Sequence, residues 1–281
     1  MGAIYRGNIN YSGGGGSSTL SEDLTATVTV GGVTSGTTFH QGDELETVVR
    51  NILSPTLYPT LTNPSASMSA TGAKLLEKGA PLASTFTITF NRGSINPAYG
   101  TSGYRSGAAT NYTLDGTTQT TNTFAITVSE SKTSYQGSVA YAQGEQPKDS
   151  NGGNYSTPLP AGSVNTNTIN YEFVDAMWSN SSNIATIAKM SLVSKTTKQR
   201  DIHFPAQTVA NPEVFDIPAS WTVTAVQVKN DLSGQYEDAI SQFDVTNVNH
   251  DDASGTSVAY KRYTFNMSMA TGARDVRIKW S

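Results

Sequence analysis

The chain has no cysteine among its 281 residues, which excludes disulfides, thiolate metal sites and a cysteine nucleophile and leaves packing alone to hold the fold. Charge is scarce as well. Asp, Glu, Lys and Arg make up 14% of the sequence, against about 25% in an ordinary soluble domain, and Thr, Ser, Asn and Gly take their place. The surface this implies is polar without being electrostatic. A net charge of -4 with no Lys/Arg block gives a phosphate backbone nothing to hold, so nucleic acid is not an expected partner. No apolar run approaches the ~20 residues of a membrane span, and the N-terminus lacks a basic stretch followed by an apolar core. The chain therefore reads as made in a cytosol, without a secretion signal and without a membrane partner.

What is present is β-patterning. Alternating segments rich in β-branched and aromatic residues, bounded by Gly, Asn, Asp and Pro, recur along the chain, as in an all-β sandwich rather than in βαβ units. Leu24 to Val30, Ser84 to Phe90, Asn122 to Ser129, Gly137 to Ala142 and Thr168 to Phe173 are the clearest early strands. Ile202 to Pro205, Trp221 to Asn230, Phe243 to Val248, Val258 to Met267 and Asp275 to Trp280 follow. One helix is expected over Asp43 to Leu53, where Leu45, Val48, Val49, Ile52 and Leu53 share a face and Pro55 stops the run; that stripe should pack against a sheet. The stretch from Ala176 to Arg200 is ambiguous between a short helix and a strand.

The opening residues have a character of their own. Ile4, Tyr5, Ile9 and Tyr11 stand in a segment whose only charge is Arg6, and four glycines follow, Gly13 to Gly16. Such a segment cannot build a core. Ordering about twenty residues costs on the order of 20–40 kcal/mol of backbone entropy, whereas burying those four side chains returns roughly 6–12 kcal/mol. Backbone hydrogen bonds to a partner sheet would have to supply the remainder, so the arm reads as an assembly device that adds a strand to a neighbouring subunit. Ile4, Tyr5, Ile9 and Tyr11 are its expected contact residues.

The expected organisation is thus all-β, with an extended Gly-rich arm over residues 1–20 and a strand-helix docking segment with a Pro-rich linker over 21–62. An Ig-like β-sandwich over 63–175 and a second, C-terminal β domain over 176–281 complete it.

Signatures of catalysis are missing. There is no Gly-x-Ser-x-Gly elbow, no phosphate-loop glycine pattern and no His-Glu-x-x-His. Glu130, Glu145, Glu172, Asp175, Glu213 and Asp216 are the acids from which a glycosidase pair would have to come, and none stands in a distinctive frame. His203, in Ile202-His203-Phe204, reads as a structural histidine. Two loops carry oxygen ligands: His250-Asp251-Asp252, read as a solvated hairpin turn, and Asp149 to Asn154, which lacks the far bidentate acid of a Ca²⁺ loop and reads as an Asx-turn. Neither metal nor cofactor is expected. Trp178, Trp221 and Trp280 are expected in the core. The recognition candidate is Asn91 to Tyr112, a long segment mixing Arg92, Tyr99, Tyr104, Arg105 and Tyr112 with Gly, Ser and Asn, the composition of adaptable contact loops and sugar-stacking surfaces.

Several blocks together resemble virion structural proteins of tailed bacteriophages of gut bacteria. They are the glycine-run opening, GGVTSGTTFHQGDELETVVRNILSPTLYPTLTNPSAS (Gly31 to Ser67), KLLEKG with TFTITFNRGSINPAYGTSGYRSGAA (Lys74 to Ala109), and FDIPASWTVTAV with YKRYTFN and VRIKW (Phe215 to Trp280). The likeness lies in strand and turn phrasing, and it transfers no functional residue. It implies a non-enzymatic, Ig-like building block of a tail, neck or fibre, located in the virion. Its partners would be copies of itself and other virion proteins. The alternative is a glycan-binding adhesin in which the Asn91 to Tyr112 segment meets a host surface glycan.

Overall fold

The structure, a computed structural model, describes residues 19–29, 33–53, 56–266, 269 and 271–281. The arm residues Ile4, Tyr5, Ile9 and Tyr11 lie outside the described residues. The fold is all-β: strands hold 50% of the described residues and helix 6%, and Leu45–Leu53 is the one α-helix among them. The chain forms two compact units, each assembled from separate stretches of sequence.

The first unit comprises Met1–Ala66, Phe90–Asn111 and Val139–Val164. Its strands near the N-terminus are short: Leu24–Thr25 pairs with Thr38–Phe39, and Thr60–Thr62 runs antiparallel to Ser94–Asn96. Gly93 is required beside that second ladder, because its φ is +70° and a Cβ there would lie 2.2 Å from the Thr62 carbonyl oxygen. The helix begins two residues later than its sequence pattern suggests. Glu46 in its first turn and Arg50 in its last form an i,i+4 pair that also suits the helix dipole. Its apolar stripe does not pack on a sheet as expected. Val48 is buried at 6% exposure, while Val49, Ile52 and Leu53 stay 41%, 37% and 74% exposed.

The second unit comprises Ser67–Thr89, Tyr112–Ser138 and Asn165–Ser281. Phe86, Ile88, Leu114, Phe124 and Val128 are buried within it, and Phe86 packs against Tyr135 and Tyr171 with ring centroids 4.9 and 6.2 Å away. Apart from Tyr171, which follows the strand Gly162–Asn170, those side chains come from two sheets. One has the order Thr123–Val128, Leu82–Asn91, Ser65–Ala70, and the other Gly162–Asn170, Ser134–Tyr141, Ala109–Leu114, Thr117–Gln119. Where the edge strands of the two sheets meet, Asn167 takes the place of a ladder rung: its Oδ1 accepts the Met68 N–H at 2.7 Å and its Nδ2 donates to the Met68 carbonyl at 3.1 Å. The strand Gly162–Asn170 was not anticipated over that length, since its Thr/Asn-rich sequence shows little apolar alternation.

A parallel pair, Leu75–Glu77 with Glu172–Val174, leads into the C-terminal part of the same unit. There the ambiguous stretch resolves into two short strands, Trp178–Ser179 and Ala188–Lys189, and a 3-10 turn, Lys195–Thr197. Two sheets face each other. The first has the order Ala188–Lys189, Trp178–Ser179, Val214–Pro218, Ser257–Phe265, Phe243–Asp251; the second Gln199–Phe204, Arg274–Trp280, Val223–Lys229, Tyr236–Asp238. Phe215, Ile217, Phe243 and Tyr263 from the first meet Ile202, Phe204, Val226, Val276, Ile278 and Trp280 from the second in one core. Trp280 stacks on Trp221 at 4.9 Å, so both are core as expected. The last strand is paired on both sides, which ties the C-terminal Trp280 into the sheet.

Replacing Asn167 with Ala removes both bonds to Met68, whose residue is buried. The expected cost is about 2 kcal/mol, the scale of leaving buried backbone groups unpaired, and urea unfolding monitored by tyrosine fluorescence measures it. A midpoint equal to that of the unaltered chain would contradict the rung role.

Candidate functional site

The densest set of interacting ionisable side chains among the described residues lies on the face of the five-stranded sheet turned away from its core. Strand alternation places it there. In Val214–Pro218, Phe215 and Ile217 point into the sandwich, so Asp216 points to the opposite face. That face is covered too, and Asp216 has no exposed surface. Its cross-strand partner is Arg262, which grips both carboxylate oxygens, Nε to Oδ1 at 2.9 Å and Nη2 to Oδ2 at 2.8 Å. From the next strand, His250 brings Nε2 to 2.6 Å from Oδ2. The bidentate bond holds the Arg262 guanidinium above its ordinary pKa.

Aromatic rings close the cluster. Trp178, the register partner of Asp216 on its other side, stacks on His250 with centroids 4.2 Å apart and planes at 10°. Tyr260 meets the same imidazole edge-on at 5.0 Å and donates its hydroxyl to the Ala176 carbonyl at 2.8 Å. Burial pushes the Tyr260 phenol up to about 12, with the charges of Asp175, Glu77 and Asp216 adding to the rise. Around the rim, Lys189 lies over Trp178 and pairs with Glu77, and Lys78 donates to the buried Asp175 at 2.7 Å.

His250 is therefore not part of a solvated turn. The turn proper is Asp252 to Thr256, where Asp252 Oδ1 accepts the Ser254 and Thr256 N–H groups, and His250 belongs to the preceding strand with its side chain 15% exposed. The other loop is the Asx-turn its sequence suggests: Asp149 Oδ1 accepts from the Asn151 and Gly153 N–H groups. No group of three or more His, Asp or Glu able to hold a metal ion is found among the described residues. His203 faces outward, 69% exposed, against Asp275 at 2.7 Å.

The six acids singled out in the sequence are dispersed among structural partners. Glu213, with no exposed surface, is clamped by Arg274 through two bonds. Glu130 accepts the Gly79 N–H, Glu145 the Ser102 N–H and Glu172 the Lys195 N–H. Asp175 and Asp216 serve the cluster just described. The Ser102 N–H bond holds the Glu145 carboxyl below its ordinary range. A carboxylate fixed this way anchors a backbone or a cation.

Residues 91–112 form an ordered excursion rather than a free loop. Ser94–Asn96 is a strand, and Ile95 is buried. Arg92 lies over the Tyr104 ring at 4.0 Å and donates to the Ser106 and Gly107 carbonyls. Arg105 is buried and donates to the Thr157 carbonyl at 3.0 Å. The structure thus joins Arg92 to Tyr104, leaves the Tyr104 ring 47% exposed, sets Tyr99 at a turn with φ +43°, and places Tyr112 in Ala109–Leu114 opposite Gln119.

The cluster around Asp216 was not recognised as a unit in the sequence. Its signal is the single charge inside an apolar run, Phe215-Asp216-Ile217, whose partner has to be basic and on a neighbouring strand. Comparison of the chain with protein-family models, curated proteins and solved structures finds no match.

Two outcomes follow from the cluster. Asp216→Ala leaves Arg262 and His250 facing a buried vacancy and is expected to cost about 3–5 kcal/mol in denaturant unfolding; a loss below 1 kcal/mol would show the pair to be incidental. The Tyr260 pKa is raised on folding, so the stability it confers is complete below pH 10 and is lost as pH climbs from 10 towards 12. Melting temperatures measured across that window should fall less steeply in Tyr260→Phe than in the unaltered chain.

Proposed function

We propose that the chain is a non-enzymatic structural component of a bacteriophage virion, a part of a tail, neck or fibre. It is built from an Ig-like sandwich and a second β domain, and it assembles through its N-terminal arm with copies of itself and with other virion proteins. The observation that carries the assembling role is the bare face of the helix Leu45–Leu53. Three apolar side chains spaced i, i+3 and i+4, Val49, Ile52 and Leu53, remain exposed in the single chain, and a stripe of that kind is ordinarily buried on another surface.

The chemistry supports the same reading. Acids, histidines and arginines that would serve a reaction are paired with one another or with backbone groups, and they fix strands. The phage setting is supported by the resemblance in strand and turn phrasing. Thr19, the first described residue after the arm, pairs with Glu44 just before the helix.

Deleting residues 1–18 retains Thr19 and the buried Leu20. The shortened chain should keep the circular dichroism and melting temperature of the full chain while light scattering shows it reduced to a monomer, and it should no longer enter particles. A full-length chain that is itself monomeric, or a shortened one with unchanged mass and incorporation, would overturn the assembly role.

A further inference from the structure

One strand of the C-terminal sandwich is left open. Phe243–Asp251 is the terminal strand of its five-stranded sheet, paired over nine rungs with Ser257–Phe265 without a register break. No described residue pairs with its other edge. Edge strands are ordinarily protected by central charges, proline or a bulge. Here the middle five residues, Val245 to Asn249, carry none of these, Val245 is 50% exposed, and the charges Asp244 and Asp251 stand near the ends.

The arm has the complementary pattern. Read with a period of two, Ala3, Tyr5, Gly7, Ile9 and Tyr11 fall on one side and Ile4, Arg6, Asn8, Asn10 and Ser12 on the other. Arg6 is its only charge. From residue 13 to residue 18 the chain reads Gly-Gly-Gly-Gly-Ser-Ser, a tether that spans at most about 20 Å before Thr19 is fixed against Glu44.

Charge and patterning select one register. An antiparallel strand with Arg6 opposite Asp251 sets Gly7 against His250, Asn8 against Asn249, Ile9 against Val248, Asn10 against Asn247 and Tyr11 against Thr246. The apolar side of the arm then falls on the face that carries half-buried Val248, and the Asn side on the face of Asn247 and Asn249. Gly7 brings no side chain to crowd the imidazole stacked on Trp178. A parallel strand with Arg6 at Asp244 would lay Ile9 and Tyr11 over Asn247 and Asn249, and an antiparallel one at Asp244 would run off the strand after Gly7.

We propose that residues 6–12 of one copy add as an antiparallel strand to the free edge, Val245 to Asp251, of a second copy, with Arg6 facing Asp251. This rests on the assembly reading above and names the surface that receives the arm. The contact is heterologous, a different patch on each partner, so repeated use builds a ring or a filament.

The absence of cysteine permits a direct test on the full chain. Asn8→Cys and Asn249→Cys are made in separate chains and mixed under mild oxidation, as are Ile9→Cys and Val248→Cys, so that both kinds of antiparallel rung are sampled. Asn8→Cys with Thr246→Cys is the control shifted by three rungs. A disulfide-linked dimer from at least one in-register pair, and little from the shifted pair, is expected. Linkage in neither in-register pair, or equal linkage in the control, overturns the proposal.

With both cysteines of a pair in one chain, linkage confined to single chains overturns it as well. Arg6→Glu should weaken association about three- to tenfold at low salt, the scale of reversing a cross-strand charge pair, and Asp251→Arg added to it should restore association; failure of that restoration counts against the register. If removing residues 1–18 abolishes assembly while no in-register pair links, the receiving strand is wrong and the arm's role stands. If the removal changes nothing, both fall.

Discussion

The second unit is organised around a carboxylate that water does not reach. Asp216 carries no exposed surface, and its two partners, Arg262 and His250, arrive on two other strands. Taking such a charge out of water costs several kcal/mol, and only well-formed bonds offset it. The three side chains can meet only if Val214–Pro218, Ser257–Phe265 and Phe243–Asp251 hold the register observed. Sliding any one of them by a single residue would turn its member of the set toward the apolar core and expose the core residues in its place. The ionic set therefore contributes less as raw stability than as a selection among sheet registers that the repetitive Thr, Val and Asn sequence would otherwise leave close in energy.

A second buried pair works across the sandwich rather than along one sheet. Glu213 precedes the strand that holds Asp216, Arg274 opens the last strand of the facing sheet, and the guanidinium also lies 3.8 Å from the centroid of Phe265. One pair thus fixes strands side by side and the other fixes sheet to sheet. Without disulfides, ion pairs of this kind are among the cross-links that tie the strands together.

Much of the fold was legible because its elements are strongly patterned. The strands at Leu82–Asn91, Thr123–Val128, Val223–Lys229 and Ser257–Phe265 announce themselves through alternation, and the helix through its 3.6-residue stripe. Gly162–Asn170 did not, because it is held by hydrogen-bonding side chains, Thr166 to the Gly137 N–H and Asn167 to both backbone groups of Met68, and such partners have no period in sequence. The helix stripe showed that a face must be covered, yet a one-dimensional pattern does not say by what. His250 was misread for a related reason: beside two aspartates it looks like a turn, and only the pairing with Val258 reveals a strand position facing Trp178.

The energetics of an added arm bear on how strongly such a subunit associates. In the proposed register, ordering the seven residues 6–12 costs about 7–14 kcal/mol. Burial of Ile9 and Tyr11 would return up to roughly 3–6 kcal/mol, and some seven strand hydrogen bonds would add about 3–10 kcal/mol net. These sums nearly cancel. On the proposed strand addition a single arm contact is then marginal, and association would become firm only where several contacts close together, as in a ring where each copy both gives an arm and receives one. Scarcity of charge fits the same logic, because subunits with few charges repel one another little at close range, and the one cation in the arm is left to set its register.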